Sequence, residues 1–214
     1  MKHIRLFFIS LLLAACSSHN YVPQDGDIFF CVAESSSEMS SAIVNATMSE
    51  ETLQFDHVAL FANINNQPSI IEASPNGGVK CISLEEFLSD ANKINHLPAI
   101  VVKRVKDHAD INATINRAQQ FIGLPYDWSY FPDNNKLYCS ELIYESFIDN
   151  KGNYIFTAKP MRFSDEKGNV LQFWIDLFQK LGEPIPEGVL GTNPNDMSQD
   201  HCLTEVHRYF SPTN

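Results

Sequence analysis

The sequence has no cluster of lysine or arginine residues and no excess of positive charge. It carries 15 Lys and Arg against 26 Asp and Glu, which gives a formal net charge of −11. Nucleic acids and anionic lipid head groups are bound mainly through positive charge. The composition therefore argues against nucleic acid as a partner.

Cysteine is sparse, with five residues, and none of them stands in a CxxC or CxxH spacing. His201, Cys202 and His207 are near one another in the sequence but lack the ligand spacing of a zinc site. We therefore predict no metal and no cofactor. Among Cys31, Cys81 and Cys202 at most one disulfide can form, and the sequence leaves open whether it does.

The sequence also lacks an apolar run long enough to span a bilayer, an internal repeat and a low-complexity tract. Its N-terminus has a positive start, an apolar run over residues 6–13 and the ending Leu-Ala-Ala-Cys at residues 13–16. A short apolar run closed by small residues is typical of a secretory signal. Because it ends on Cys16, it resembles a bacterial lipobox, in which the cysteine is lipidated and becomes the N-terminus. An ordinary signal with a chance cysteine is the alternative.

These features predict the domain organisation. Residues 1–15 form a lipoprotein signal peptide, residues 16–24 a lipidated tether, and residues 25–214 one domain, which is long enough to bury a core. Several acyl chains on Cys16 would anchor the protein stably in a membrane. The absence of Asp at position 17 resembles lipoproteins sorted to the outer membrane. We expect a bacterial envelope protein, on the periplasmic face, whose oligomeric state is open.

The hydrophobic pattern predicts more strands early in the chain and more helices late. We predict strands over residues 26–32, 57–62, 69–73, 79–82, 99–105 and 203–209. The predicted helices cover residues 42–53, 84–91, 110–122, 139–149 and 171–181. A serine-rich loop over 35–41 and a hairpin turn over 63–68 complete the pattern. Without a regular βαβ alternation, this order predicts an α+β fold, an antiparallel sheet packed against helices.

Three side chains are candidates for chemistry. Cys139 opens a predicted helix, where the unpaired backbone N–H groups and the helix dipole stabilise a thiolate. His57 stands at a strand start and could exchange a proton with that thiol. Glu72 interrupts an apolar strand and could accept a hydrogen bond from the imidazole. The alternatives are a buried structural cysteine, a satisfied polar histidine and a carboxylate that faces water.

Several segments together resemble a known family. They read GDIFF, DHVALF, IIEASPNGGVK, VVKRV, FIGLPYD, LYCSELIYESF and GEPIPEGVLGTNPNDMSQ, and they span nearly all of the mature chain. This set resembles the YiiX/YaeF type of circularly permuted papain-like hydrolases. These hydrolases are relatives of the NlpC-type cell-wall peptidases and of the lecithin:retinol acyltransferase group. The chain departs from typical members in its serine-rich stretch and in its extra cysteines.

The resemblance implies a permuted papain-like, NlpC-type fold and a role for each candidate. Cys139 is then the nucleophile, His57 the base and Glu72 the residue that orients His57. Tyr126 corresponds to a tyrosine that holds the oxyanion in NlpC-type relatives, and a packed aromatic is the alternative reading. Tyr138, beside the nucleophile, is expected to pack.

On this basis we expect a lipid-anchored cysteine hydrolase that cleaves an amide, with a cell-wall peptide as the first substrate. One alternative is a thiol-dependent acyltransferase or hydrolase that acts on lipids or acylated amines. Another is a non-catalytic lipoprotein that binds a ligand in the same groove.

Overall fold

The centre of the fold is a six-stranded antiparallel sheet. In the computed structural model, residues 21–34, 36–47, 53–106, 110–165 and 167–211 are described. The strand order is β10-β7-β1-β2-β3-β4, and every neighbouring pair is antiparallel. The six strands are β1 (Ile28–Val32), β2 (Phe55–Ile64), β3 (Gln67–Ser74), β4 (Gly78–Ser83), β7 (Ile100–Val105) and β10 (Leu203–Arg208).

Helices and two small hairpins complete the fold. The helices are α1 (Glu38–Thr47), α2 (Leu84–Asp90), α3 (Ile111–Gln120), α4 (Cys139–Ser146), α5 (Gln172–Leu181) and α6 (Pro194–Ser198). Two short strands, β5 (Lys93–Ile94) and β6 (Leu97–Pro98), pair with each other, as do β8 (Lys159–Pro160) and β9 (Leu190–Gly191). The predicted α+β class with an antiparallel sheet packed against helices is confirmed.

The sheet buries side chains on both faces. Alternate residues of a strand point to opposite faces, so Ile28 and Phe30 join one core while Phe29 joins the other. The larger core includes Leu142 and Ile143 of α4, which packs against β2 and β3. This packing places the first residue of α4 beside the strands that carry His57 and Glu72.

The serine-rich segment is partly helical, which the sequence did not predict. We expected a loop over residues 35–41 and a helix from residue 42, but α1 begins at Glu38. The Ser37 hydroxyl accepts a hydrogen bond from the backbone N–H of Ser40, at 3.2 Å. Serine favours a helix start because it satisfies one of the free N–H groups there. The end predicted for this helix falls in residues 48–52, outside the described residues.

The turn between β2 and β3 is shorter than the predicted turn over residues 63–68. It consists of Asn65 and Asn66, with φ of 53° and 62°. Asparagine tolerates this left-handed conformation, and a two-residue turn of this kind matches the twist of paired strands. Pro68 therefore lies within β3, opposite Asn63.

The last turn of the cysteine helix is also shorter than predicted. We expected α4 to reach residue 149, but it ends at Ser146. Arg117 of α3 donates hydrogen bonds of 2.8 Å to the carbonyl oxygens of Ser146 and Ile148. A cation at a helix C-terminus satisfies free carbonyl groups and favours the helix dipole.

The N-terminal predictions lie outside the described residues. These are the signal peptide, the lipidation of Cys16 and most of the tether. Within the described ranges, no helix is both long and apolar enough to cross a membrane. The four cysteines there, Cys31, Cys81, Cys139 and Cys202, are free thiols.

Candidate active site

Cys139 is the first residue of α4 and is 5% exposed. The preceding residue, Tyr138, is held in place through both its backbone N–H group and its side-chain hydroxyl. Its backbone N–H lies 3.4 Å from the Glu141 carboxylate, and its hydroxyl accepts a hydrogen bond of 3.0 Å from the Thr192 N–H. The side chain of Tyr138 is buried, as expected of a packed aromatic. Cys139 is therefore held at a defined helix start.

The structure brings His57 to Cys139 and to Glu72. His57 lies on β2, and its ring Nε2 is 2.6 Å from Oε2 of Glu72 on β3. The Cys139 side chain lies close enough to the imidazole to raise the pKa of His57. Cys139, His57 and Glu72 are therefore brought together at one place in the fold.

Opposing effects set the protonation of His57 and Glu72. Burial lowers the pKa of His57, but its hydrogen bonds to Cys139 and Glu72 and the charges of both groups raise it to about 10. Burial raises the pKa of Glu72, but the hydrogen bond and charge of His57, with those of Lys80, bring it below its ordinary value. An imidazolium beside a carboxylate is thus the stable form at neutral pH.

Lys80 completes the environment of Glu72, and the sequence analysis missed it. Its Nζ lies 3.4 Å from Oε1 of Glu72, while His57 contacts Oε2. Lys80 is the register partner of Glu72 across β3 and β4. The signal was available in principle, because Glu72 and Lys80 lie on either side of Asn76-Gly77-Gly78, residue types that favour a turn. The alternative prediction, a Glu72 carboxylate that faces water, is wrong, because Glu72 is buried and its two oxygens contact His57 and Lys80.

Tyr126 is both packed and close to the nucleophile, so the two readings made from the sequence are compatible. It is 7% exposed, contacts the Trp128 ring at 5.0 Å between centroids and lines a cavity together with Cys139. Burial raises the pKa of Tyr126, and the nearby charges of Tyr130 and Cys139 add to this effect. Its phenol therefore stays protonated and can act as a hydrogen-bond donor, and Tyr130 is one group that it interacts with.

Two buried carboxyl groups flank the Cys139 turn, and the sequence analysis missed both. Asp127 is fully buried, and its Oδ1 accepts hydrogen bonds from the N–H and hydroxyl of Ser129, at 2.9 and 2.6 Å. Glu141 is 8% exposed, and burial together with the charge of Asp127 raises its pKa to about 8. In the sequence, the only indication that these two residues belong to the site is their position in the segments FIGLPYD and LYCSEL.

The comparisons with known proteins agree with this geometry. Residues 22–207 match the family Peptidase_C92, described as permuted papain-like amidase enzyme, YaeF/YiiX, C92 family. The chain belongs to this family. It is therefore a papain-like cysteine hydrolase of the amidase type, and the predicted family and fold are confirmed.

Two relatives extend over nearly the whole chain. The chain is 27% identical over 205 residues to the uncharacterized protein YiiX of Escherichia coli (strain K12), with 94% of each sequence covered. It is also similar to the crystal structure of the metalloprotein yiiX, DUF1105, from Escherichia coli O157:H7. That likeness has a TM-score of 0.70 and 24% sequence identity, and it covers 89% of this chain and 100% of the other.

That relative is called a metalloprotein. Within the residues described for this chain, no three or more His, Cys, Asp or Glu side chains are grouped so that they could hold one. At the Cys139 site, Lys80 and His57 already occupy both oxygens of Glu72. The side chains at this site therefore do not fit a metal centre.

Proposed function

We propose that Cys139 is the nucleophile of this amidase, that His57 exchanges the proton, and that Glu72 positions His57. The single observation that supports these roles is the position of His57, which is hydrogen-bonded to Glu72 and lies beside Cys139. A thiol, an imidazole and a carboxylate in this order activate a sulfur nucleophile and hold the imidazole in one orientation.

The proposed reaction has two stages. The Cys139 sulfur attacks the carbonyl carbon of the amide, and the protonated His57 gives its proton to the leaving nitrogen as the C–N bond breaks. The product is a thioester on Cys139 and a free amine. His57 then takes a proton from water, the resulting hydroxide attacks the thioester carbon, and the acid and the thiol are released.

The oxyanion of each stage would lie at the N-terminus of α4. The free backbone N–H groups of the first helical turn point there, and the helix dipole favours negative charge. The protonated phenol of Tyr126 is the proposed side-chain donor. Its position in the cavity that Cys139 lines supports this role.

For the substrate we propose an amide in a cell-wall peptide, cleaved at the bacterial envelope by a protein anchored through lipidated Cys16. The Leu-Ala-Ala-Cys ending of the apolar run supports the anchor, and membership of an amidase family supports the bond type. The rival substrate is a lipid or an acylated amine. A ligand-binding lipoprotein is a weaker alternative, since binding does not need a thiol beside an imidazole and a carboxylate.

One experiment tests the activity and its substrate class. Peptidoglycan fragments and acylated lipids are incubated separately with the wild type and with Cys139→Ala, and products are identified by mass spectrometry. We expect new amine and acid ends from the peptidoglycan fragments with the wild type alone. Product from lipids alone would replace the proposed substrate. No product from either class, with ligand still bound, would favour the binding protein.

The anchor needs a separate test, because it is independent of the chemistry. Mass spectrometry of the mature N-terminus should find acyl groups on Cys16, and Cys16→Ser should move the protein from the membrane fraction to the soluble fraction. A free Cys16 thiol, or cleavage at another residue, would disprove the anchor without affecting the amidase.

A further inference from the structure

A small cavity adjoins Cys139 and shares Ile43, Asp56 and Tyr126 with the groove that His57 lines. Its volume is about 50 Å³, and Cys139 and Ser140 form part of its lining. His57 and Glu72 line a different, larger and more polar groove of about 410 Å³. The other walls of the small cavity are mainly apolar or aromatic, and they include Tyr126, Tyr130, Tyr138, Met161, Phe163 and Trp174.

Proton transfer decides which part of a substrate enters each space. The leaving nitrogen must receive its proton from His57, so the amine part of the amide belongs in the polar groove beside His57. The acyl part stays on the sulfur after the amine has left. It therefore belongs in the small cavity that Cys139 and Ser140 line.

The walls of the cavity are packed against one another. The Trp174 ring meets Tyr130 and Phe163 edge-on, with centroids 5.7 and 5.1 Å apart. Behind them, a Cβ atom added at Gly191 would lie 2.5 Å from the sulfur of Met161 and 2.7 Å from the hydroxyl of Tyr138. Close-packed interiors resist expansion. The cavity therefore sets a limit on the size of its occupant.

The volume corresponds to a short group. A water molecule takes up about 30 Å³ of the liquid, so 50 Å³ accommodates roughly two or three non-hydrogen atoms. A serine, alanine or threonine side chain fits this limit. A leucine or phenylalanine side chain, or a fatty acyl chain, exceeds it.

Four residues of the lining, Tyr130, Ser140, Trp174 and Thr192, have a buried polar atom with no hydrogen-bond partner among the described residues, which indicates a polar occupant. Ser140 is 1% exposed and Trp174 is 2% exposed, and in the described part of the chain neither Ser140 Oγ nor Trp174 Nε1 has a hydrogen-bond partner. Buried polar groups are nearly always hydrogen-bonded in folded proteins, and an indole N–H can only donate. An oxygen acceptor in the occupant would satisfy the indole.

We propose that this cavity is the acyl-side specificity pocket, and that it selects an aminoacyl group with a short side chain and prefers one that carries a hydroxyl. The inference rests on the proposed function, because the pocket is defined relative to attack by Cys139. It narrows the substrate to a peptide whose residue on the acyl side of the cleaved amide is of alanine to threonine size. Fatty amides are excluded.

Activated esters test the pocket without knowledge of the natural amine. The full chain, in a mild detergent, is given p-nitrophenyl esters of N-acetylserine, N-acetylalanine, N-acetylleucine, N-acetylphenylalanine and octanoic acid. The Cys139 sulfur forms a thioester, p-nitrophenolate leaves, and its release gives kcat/KM. We expect seryl and alanyl esters to react about 10-fold or more faster than the three larger ones. The seryl ester should exceed the alanyl ester by roughly fivefold.

Two variants separate the size limit from the hydrogen bond. Met161→Ala enlarges the cavity and should raise the leucyl and octanoyl rates relative to the alanyl rate. Met197→Ala, an equally buried methionine outside this cavity, should leave the order unchanged. Trp174→Phe removes the N–H and should abolish the preference for seryl over alanyl esters. Trp128→Phe, outside the cavity, should retain it. Circular dichroism shows which variants are folded.

The outcomes distinguish this inference from the proposed function. If the esters react at Cys139 but leucyl or octanoyl esters match the small ones, the pocket is disproved while the nucleophile stands. The pocket is also disproved if folded Met161→Ala keeps the wild-type order of rates among the small and large esters. If release of p-nitrophenolate is equal in Cys139→Ala, the proposed function fails, and the pocket fails with it.

Discussion

Lys80 and Glu72 face each other across β3 and β4, with 3.4 Å between Lys80 Nζ and Glu72 Oε1. The second oxygen of the same carboxylate contacts His57. Glu72 therefore joins a surface cation to the imidazole, and its orientation depends on both partners. The arrangement makes Lys80 a positioning residue at one remove from the chemistry.

Lys80→Met should weaken the amidase only modestly. The Lys80 side chain is 36% exposed, and partly exposed ion pairs contribute less than about 1 kcal/mol, which corresponds to at most about fivefold in kcat/KM. Glu72→Gln should cost more, because it removes the charge next to His57. The measurement is kcat/KM for both variants with KM and kcat resolved. A larger loss of kcat/KM in Lys80→Met than in Glu72→Gln would contradict the inference that Lys80 acts on His57 only through Glu72.

Cys139 should be the thiol that reacts selectively with iodoacetamide at mildly acidic pH. Burial raises the pKa of Cys31, and burial together with Asp200 raises that of Cys202 to about 12. His57→Ala should slow the labelling of Cys139, because it removes the imidazole that exchanges a proton with the thiol. Glu72→Gln should have a smaller effect, because it changes orientation more than charge.

Peptide mapping of each labelled cysteine gives this rate directly. Cys81 is exposed and serves as the internal standard for an accessible thiol. Equal labelling of Cys31, Cys81 and Cys139, insensitive to His57, would leave only the ligand-binding protein among the alternatives.

The pH profile of amide cleavage should have its alkaline limb near pH 10. The pKa of His57 is raised to about 10, so the imidazolium that donates to the leaving amine persists below that pH and is lost above it. In Glu72→Gln the limb should move down, because the variant lacks a hydrogen bond and a charge that raise the pKa of His57. Measuring kcat/KM from pH 6 to 11 checks both. A wild-type limb near 6.5 would mean that His57 is not held by its two partners.

The sequence was sufficient for the elements that carry the two central side chains. Hydrophobic periodicity predicts a strand at His57 and a helix that starts at Cys139, because each buries one regular face against the core. Their contact required more than periodicity. It follows from the packing of α4 on β2 and β3, and in the sequence only the family resemblance indicated it.

Other parts of the site depend on register and on non-local contacts. Lys80 meets Glu72 only because the β3–β4 turn aligns them, and a shift by one residue would move Lys80 to the other face of the sheet. The charge of Asp127 raises the pKa of Glu141 because the fold buries both groups near each other, which a sequence does not display. The start of α1 was missed for a local reason, since serine is equally common in loops and at helix starts.

Gly78→Ala should destabilise the fold and disturb Tyr126. Gly78 has φ of 72°, and a Cβ atom there would lie 2.2 Å from the carbonyl oxygen of Leu124. The same carbonyl accepts a hydrogen bond of 2.8 Å from the Val79 N–H, which ties β4 to the segment before Tyr126. We expect a loss of about 2–4 kcal/mol in the free energy of unfolding and a lower kcat.

Gly77→Ala is the matched control for this clash. Gly77 also has a positive φ, 106°, but the nearest atom to an added Cβ is Cδ of Lys80 at 3.9 Å. It should therefore cost only backbone strain, about 1–2 kcal/mol. Urea unfolding of both variants measures the difference. Equal losses would show that the contact with Leu124 does not constrain this turn.

Glu141→Gln should stabilise the protein at alkaline pH and have little effect in acid. Burial and the charge of Asp127 raise the pKa of Glu141 from 4.5 to about 8. Below pH 4.5 the group is protonated in both the folded and the unfolded chain, so it costs nothing. As the pH rises from 4.5 to 8, the unfolded chain loses the proton first and the folded state is increasingly penalised. Above pH 8 the penalty is complete.

The glutamine removes this penalty but keeps an oxygen for the Tyr138 N–H. At pH 8.5 we expect a gain of roughly 2–4 kcal/mol in the free energy of unfolding, falling to near zero at pH 4.5. Urea unfolding at the two pH values measures it, with Glu183→Gln as an exposed control. A gain that is the same at both pH values would exclude ionisation as its cause. A loss at pH 8.5 would show that the ionised Glu141 is held by a favourable contact at the start of α4, and that the Cys139 turn depends on its charge.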